Sequence, residues 1–363
     1  MNNMNSSCQL FVLPFVSRLI KVKYVWLILL IAAGLSACKK NPSPNQTGPV
    51  DIYLAGWRSY YPSNEVAVYW KNGVLTDLTD GSRYITANSI AVSGNNVYVG
   101  GNDFINNHSV AKYWKNGVIA NLEDTTVDSH VSAIAVSGNG IYFAGYENEG
   151  NHKIAKYWKN GQGVNLTSGV NDAELLAITV SGNDVYVAGW ESNGTFEVAK
   201  YWKNGIAVSL SDGSKNAEAL SVAVSGNDVY VTGNEYTAIN SCPSCAAGFS
   251  GTSKLWENGS IIRTAGNNQF FGSIAASNKE LYIAGNDGSY ASYFKNGSIF
   301  HLTDGTNEAE TSAIAIWGND VYVTGYENIA GHNIPTYWKN GAAIHLTNGL
   351  NNAYASAIYV NKQ

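Results

Sequence analysis

From about residue 50 to the C-terminus, apolar positions fall in short runs bounded by Gly, Asn, Asp and Ser. The runs are rich in Val, Ile, Tyr and Trp and lack helical spacing, which predicts strands. Residues 132–169 hold four of them, lettered A to D. Run A, 132–136, is small and apolar, and Ser137-Gly138-Asn139-Gly140 turns it into run B, 141–146. Residues 147–152 read as a loop before run C, 153–159. Asn160-Gly161 suits a type I′ hairpin, because both residues tolerate positive φ, and run D is 163–166. A longer polar link then leads to the next run A.

This unit repeats. Trp-Lys-Asn-Gly begins at Trp70, Trp114, Trp158, Trp202 and Trp338, with variants at Trp256 (Trp-Glu-Asn-Gly) and Phe294 (Phe-Lys-Asn-Gly), seven copies in all. A Gly-Asn-Asp-Val-Tyr-Val-Ala-Gly-like run also occurs seven times, with tyrosines at 53, 98, 142, 186, 230, 282 and 322. Four strands in a unit of about 40–45 residues fit a propeller blade. The first unit lacks an A run and the last ends on an A run alone, so each terminus supplies what the other lacks. The expectation is an all-β, seven-bladed propeller over residues 50–361, four antiparallel strands per blade, with the C-terminal strand completing the N-terminal blade. Run A, with its Ser and Ala, belongs at the crowded axis, and the Trp of run C packs between blades.

The repeat resembles the bacterial extracellular HAF repeats, whose units carry a Trp-Glu-Asn-Gly-like hairpin and a later Ala-rich strand; Trp256-Glu257-Asn258-Gly259 is the nearest local match. It differs in its fixed Ser-Gly-Asn-Asp turn. The resemblance implies structure and carries no catalytic constellation.

The N-terminus reads as an address. Lys21 and Lys23 precede an apolar run too short for a confident membrane span, followed by Leu35-Ser36-Ala37-Cys38. That sequence resembles a bacterial lipobox, implying a signal peptide over 1–37, lipidation of Cys38 and a tether over 38–49. The expected location is the cell envelope, at the outer membrane or cell surface rather than the inner membrane, with the lipid as the membrane contact. Removing residues 1–37 leaves 19 basic and 27 acidic residues with no basic stripe, which argues against nucleic acid as a partner. Only 13% of the chain is charged, against about 25% in an average domain, so turn residues supply its polarity.

Alternating strand direction puts the short, uniform A–B and C–D turns on one face and the variable B–C and D–A connections on the other, where function concentrates. Two rings of positions there carry candidate chemistry. After the Gly of run B come Trp57, Asn102, Tyr146, Trp190, Asn234, Asn286 and Tyr326, and then Arg58, Asp103, Glu147, Glu191, Glu235, Asp287 and Glu327. Aromatic rings beside carboxylates suit sugars, since rings stack on C–H faces and carboxylates accept hydroxyl protons. The same acids are placed for cross-strand pairs with Lys112, Lys156, Lys200 and Lys254. The second ring, at the start of run A, holds Thr86, His130, Glu174, Glu218, Phe270, Glu310 and Tyr354 at the channel mouth, as a cation or polar-ligand site or as solvated loop residues. His108, His152 and His332 share a position in three separate blades and read as solvated. Cys242 and Cys245 sit in a B–C loop lengthened by about ten residues and, in an exported protein, form a disulfide in preference to a redox site.

No nucleophile elbow, phosphate loop or metal-ligand motif is present, and neither a metal nor another cofactor is expected. The leading expectation is a non-enzymatic binding module for carbohydrate or protein. The alternatives are a polysaccharide hydrolase or lyase using Glu147, Glu174, Glu191 or Glu218, and a structural envelope component.

Overall fold

The seven Asn-Gly dipeptides that follow the strand C aromatic residue all turn as their chemistry requires. Each Asn has φ of 47–52° and each following Gly φ of 81–89°, the two positive values of a type I′ hairpin. These hairpins join strands C and D of seven four-stranded antiparallel sheets in a computed structural model of the chain. It describes residues 49–60, 63–105, 108–238, 249–347, 349 and 351–363.

The sheets form a seven-bladed β-propeller, and no helix is present among the described residues. In blade four, strand A is Ala173–Ser181, B Asp184–Ser192, C Glu197–Lys203 and D Ile206–Ser209. Blade one is built from both ends of the chain. Its strand A, Ala353–Lys362, pairs antiparallel with strand B, Val50–Tyr60, from Val50 opposite Lys362 to Arg58 opposite Ala353. The Gln363 amide adds a hydrogen bond to Asp51 Oδ1 at 2.9 Å. Closure therefore gives strand B of blade one the same inner partner that strand B has in the other six blades.

Strand A is innermost in every blade. Ile90, Ile134, Ile178, Val222, Ile274, Ile314 and Ile358 line a central cavity of about 510 Å³. The aromatic residue of strand C is buried in all seven blades and at most 1% exposed. It packs on the preceding blade: Trp202 lies against Tyr142, Ala144 and Ala155 of blade three, and Trp70 seals the closure seam against Tyr322 of blade seven. Each such burial is worth about 3–5 kcal/mol on truncation.

The turn face ties two of the sequence signatures together. Each Asn of an Asn-Gly turn accepts a hydrogen bond from the first backbone N–H groups of strand B, as Asn204 Oδ1 does from Val185 at 2.9 Å. In most blades its Nδ2 also donates to a side chain where the A–B turn enters strand B, as Asn204 does to Asp184 at 2.7 Å. Lys203 beside it pairs with Asp184 at 3.0 Å and lies over the Tyr186 ring at 5.2 Å. Gly-Asn-Asp-Val-Tyr and Trp-Lys-Asn-Gly are the two halves of one interlocked turn.

One expectation is corrected at the opposite face. Residues 147–152 of blade three are not a loop: strand B runs from Gly140 to Glu149 and strand C starts at His152. The polar residues there pair within the hairpin and with the incoming link, where the Lys153 amide donates to Asp172 Oδ1 and the Asn148 amide to the Asp128 carbonyl.

Candidate site at the channel mouth

Strand A bulges at the same point in every blade, and the bulge builds the site. In blade four the pairing slips between Leu175 and Ala177, turning Leu176 into the central cavity. Just outside the bulge, the strand A carbonyl presses against the glycine that ends the strand B signature. A Cβ on Gly189 would stand 1.9 Å from the Glu174 oxygen, and one on Gly145 would stand 1.8 Å from that of His130. The glycine is required by this close approach.

Beyond that contact the two candidate rings meet as direct cross-strand partners. The pairs are Trp57 with Tyr354, Asn102 with Thr86, Tyr146 with His130, Trp190 with Glu174, Asn234 with Glu218, Asn286 with Phe270, and Tyr326 with Glu310. The residues expected on loops thus stand on strands, at the loop-side end of those that line the cavity.

The acids one position further on are engaged within their blades. Glu147 pairs with Lys156, Glu191 with Lys200 at 2.6 Å and Glu235 with Lys254 at 2.6 Å. Asp103 lies 3.7 Å from Lys112 and 2.9 Å from Arg83. The remaining blades keep a pair with other residues. Blade one reverses it, with Arg58 on strand B and Asp77 on strand D 2.8 Å apart. Blades six and seven place a histidine on strand D instead, as His301 near Asp287 and His345 near Glu327, both at 3.8 Å. Each of these strand D residues is the register mate of the Lys position on strand C: Val68–Asp77, Ser292–His301 and Thr336–His345.

The mouth positions, by contrast, differ from blade to blade and gather into one asymmetric cluster over blades three to five. His130 stacks on Tyr146 with centroids 5.5 Å apart and planes 5° from parallel. Lys153 Nζ lies 4.2 Å from the Tyr146 ring and 6.0 Å from the Trp190 ring, and is 2.9 Å from Glu174 Oε2. The Tyr236 hydroxyl donates to Glu218, and Asn234 Nδ2 donates to the Tyr236 hydroxyl at 3.3 Å.

Burial sets the charge states. It holds the His130 imidazole below its ordinary pKa. It opposes the Lys153 charge, but Glu174 outweighs it and the ammonium is held above its usual value. Burial raises Glu197, and the neighbouring charges of Glu218 and Glu174 raise it further. Sequence reasoning did not single out Lys153, Glu197 or Tyr236. Lys153 and Glu197 stand five residues before Trp158 and Trp202, a position occupied by Glu65, Ser109, Gly251, Ser289 and Asn333 in the other blades, so no uniform residue marks it.

Some candidates stay apart. His152 faces Asp172 at 3.2 Å and His108 the Thr125 carbonyl at 2.7 Å in separate blades. No group of three His, Cys, Asp or Glu residues suited to a metal occurs among the described residues. Cys38, Cys242 and Cys245 lie outside the described residues. No helix among the described residues is long and apolar enough to cross a membrane.

No protein-family model and no curated protein matches the chain. Solved structures share its fold at low identity. The β-propeller domain of the trilobed protease from Pyrococcus furiosus, described as having an open velcro topology, is 9% identical with a TM-score of 0.51, over 84% of this chain and 93% of that one. TolB from Acinetobacter baumannii is 10% identical with a TM-score of 0.48, over 85% of this chain and 66% of that one. A prolyl endopeptidase is 11% identical with a TM-score of 0.46, over 86% of this chain and 51% of that one. The chain thus spans about half to two thirds of the length of the latter two. At such identities the likeness is one of fold alone.

Proposed function

We propose that the chain is an exported, lipid-anchored binding module that takes a carbohydrate at the channel mouth of blades three to five. The observation that carries this reading is the mouth cluster. Tyr146 and Trp190 are half-buried rings for stacking, and Glu174, Glu197 and Glu218 are acceptors for hydroxyl protons. These positions break the repeat where the rest of the blade preserves it. The paired ring of Glu147, Glu191, Glu235 and Glu327 supports the site from below as blade architecture. Calorimetric titration with oligosaccharides tests it: Trp190→Ala should weaken binding about tenfold, a loss of about 1.4 kcal/mol. Unchanged affinity in that variant, or no binding by any oligosaccharide, removes the reading and turns attention to protein partners.

Export rests on the basic, apolar and Leu-Ser-Ala-Cys segments of the N-terminus. Lipid labelling that survives Cys38→Ser would refute the anchor. Cys242 and Cys245 form a disulfide in this reading, and two free thiols in the native exported protein would refute it.

One observation favours a second reading, a polysaccharide hydrolase or lyase. Glu197 is held toward its protonated form by burial and by Glu218 and Glu174, the kind of environment that separates an acid from a base. New reducing ends or unsaturated products from polysaccharides, lost in Glu197→Gln, would establish it.

A further inference from the structure

The hairpin of strands B and C turns early in blade six. Strand B ends at Asp287, one residue beyond the mouth residue Asn286, whereas in blade seven it runs to Ile329, three beyond Tyr326. The shortened hairpin borders a hollow of about 380 Å³ lined by Asn286, Ser289, Thr306, Asn307, Glu308 and Glu310. Its volume falls in the range of small-molecule sites, about 300–1,000 Å³.

Glu310 links this hollow to an aromatic run across blades seven and one. It stands opposite Tyr326, whose hydroxyl is held in its neutral form by burial and by the charges of Glu310 and Glu308. Tyr326 meets Tyr354 edge-on, with centroids 5.0 Å apart, and Tyr354 stacks on Trp57 at 4.4 Å. Asn333 Nδ2 donates to the Tyr354 hydroxyl and fixes that ring. Hydroxyl, amide and carboxylate groups in a hollow beside stacked rings complement a sugar by the same chemistry as blades three to five. The two regions occupy different sectors of one ring, and the central cavity lies between them.

We infer that blades six, seven and one form a second sugar subsite, and that the ligand is a glycan chain of several units laid across the mouth rather than a single sugar or disaccharide. This rests on the carbohydrate reading above and adds chain length to it. Linking two subsites through one ligand makes the second contact intramolecular, so affinity rises with length once both are reached.

The test is calorimetric titration of the full chain with the disaccharide and hexasaccharide of the cello, xylo and chito series. In the series that binds, the hexasaccharide should bind at least about tenfold more tightly than the disaccharide, the gain expected of a second linked subsite. Trp57→Ala should bring that ratio below about threefold. Glu310→Gln, an isosteric change at an exposed position, should do the same without endangering the closure seam. Equal affinity for both lengths, or a length ratio that persists in both variants, overturns this inference and leaves the carbohydrate reading standing. No binding in any series overturns both.

Discussion

The two faces of the propeller carry thirteen and fourteen connections and use them oppositely. On the turn face, each Asn-Gly hairpin binds strand B, and in most blades also the A–B turn, so its side chains are spent on one another. On the loop face, the bulge and its glycine repeat in every blade, but the side chains they aim at the mouth do not. Repetition of residues thus reports structure here, and repetition of backbone with variation of residues reports where a ligand site can be built.

The sharpest way to break this contrast is at the shared backbone of the loop face. Gly189→Ala places a methyl group 1.9 Å from the Glu174 carbonyl oxygen. It should cost about 3 kcal/mol by chemical denaturation, the upper range for forced overpacking. A loss within error of zero would mean that the bulge is not held by this contact.

On the turn face, Asn204→Ala removes the bonds to Val185 and Asp184 and places Ala at positive φ. The expected loss is about 1–2 kcal/mol. Asn204→Gly, which keeps the φ but not the bonds, should cost less, and equal losses would deny any role to the backbone.

Titration separates the turn-face carboxylates from Glu197 of the mouth cluster by sign. Asp51, Asp184 and Asp320 on the turn face are held below the ordinary carboxylate range, foremost by hydrogen bonds from Lys71, Asn204 and Asn340 respectively. A depressed pKa contributes stability that is present above the unfolded value of about 4 and is lost as pH falls through the folded one. Glu197 at the mouth is raised instead, so its contribution is present in acid and lost as pH rises. Asp184→Asn should flatten the acid limb of the stability profile, whereas Glu197→Gln should stabilise the protein near neutrality. Melting curves from pH 3 to 8 check both, and the same sign for the two variants would contradict the account.

The smallest effect belongs to the cross-strand pairs. Lys200→Met breaks the pair with Glu191 and should cost under about 1 kcal/mol, reduced further by salt. A larger loss in urea unfolding would promote this ring above the turn-face network.

The blade count, the closure by residues 353–362 and the inner place of strand A were legible in the sequence because turn chemistry and small residues encode them locally. The lengths of the loop-side hairpins were not. Asn148 and Lys153 are polar, show no apolar alternation, and are ordered by Asp128 and Asp172 from a distant link. The partners Asp77, His301 and His345 were hidden for a related reason: they replace a lysine across a hairpin, and only the C–D register brings the positions together. Trp190, Glu174, Glu218 and His130 were visible as variable members of otherwise regular rings. Lys153, Glu197 and Tyr236 complete their cluster from positions that carry no motif.

The division of labour between the faces is tested most directly by measuring glycan affinity and melting temperature together in Trp190→Ala and Asn204→Ala. The account predicts that Trp190→Ala loses binding while melting close to the parent, and that Asn204→Ala melts earlier while binding as the parent does. Parent-like binding by Trp190→Ala, or lost binding by folded Asn204→Ala, would contradict it.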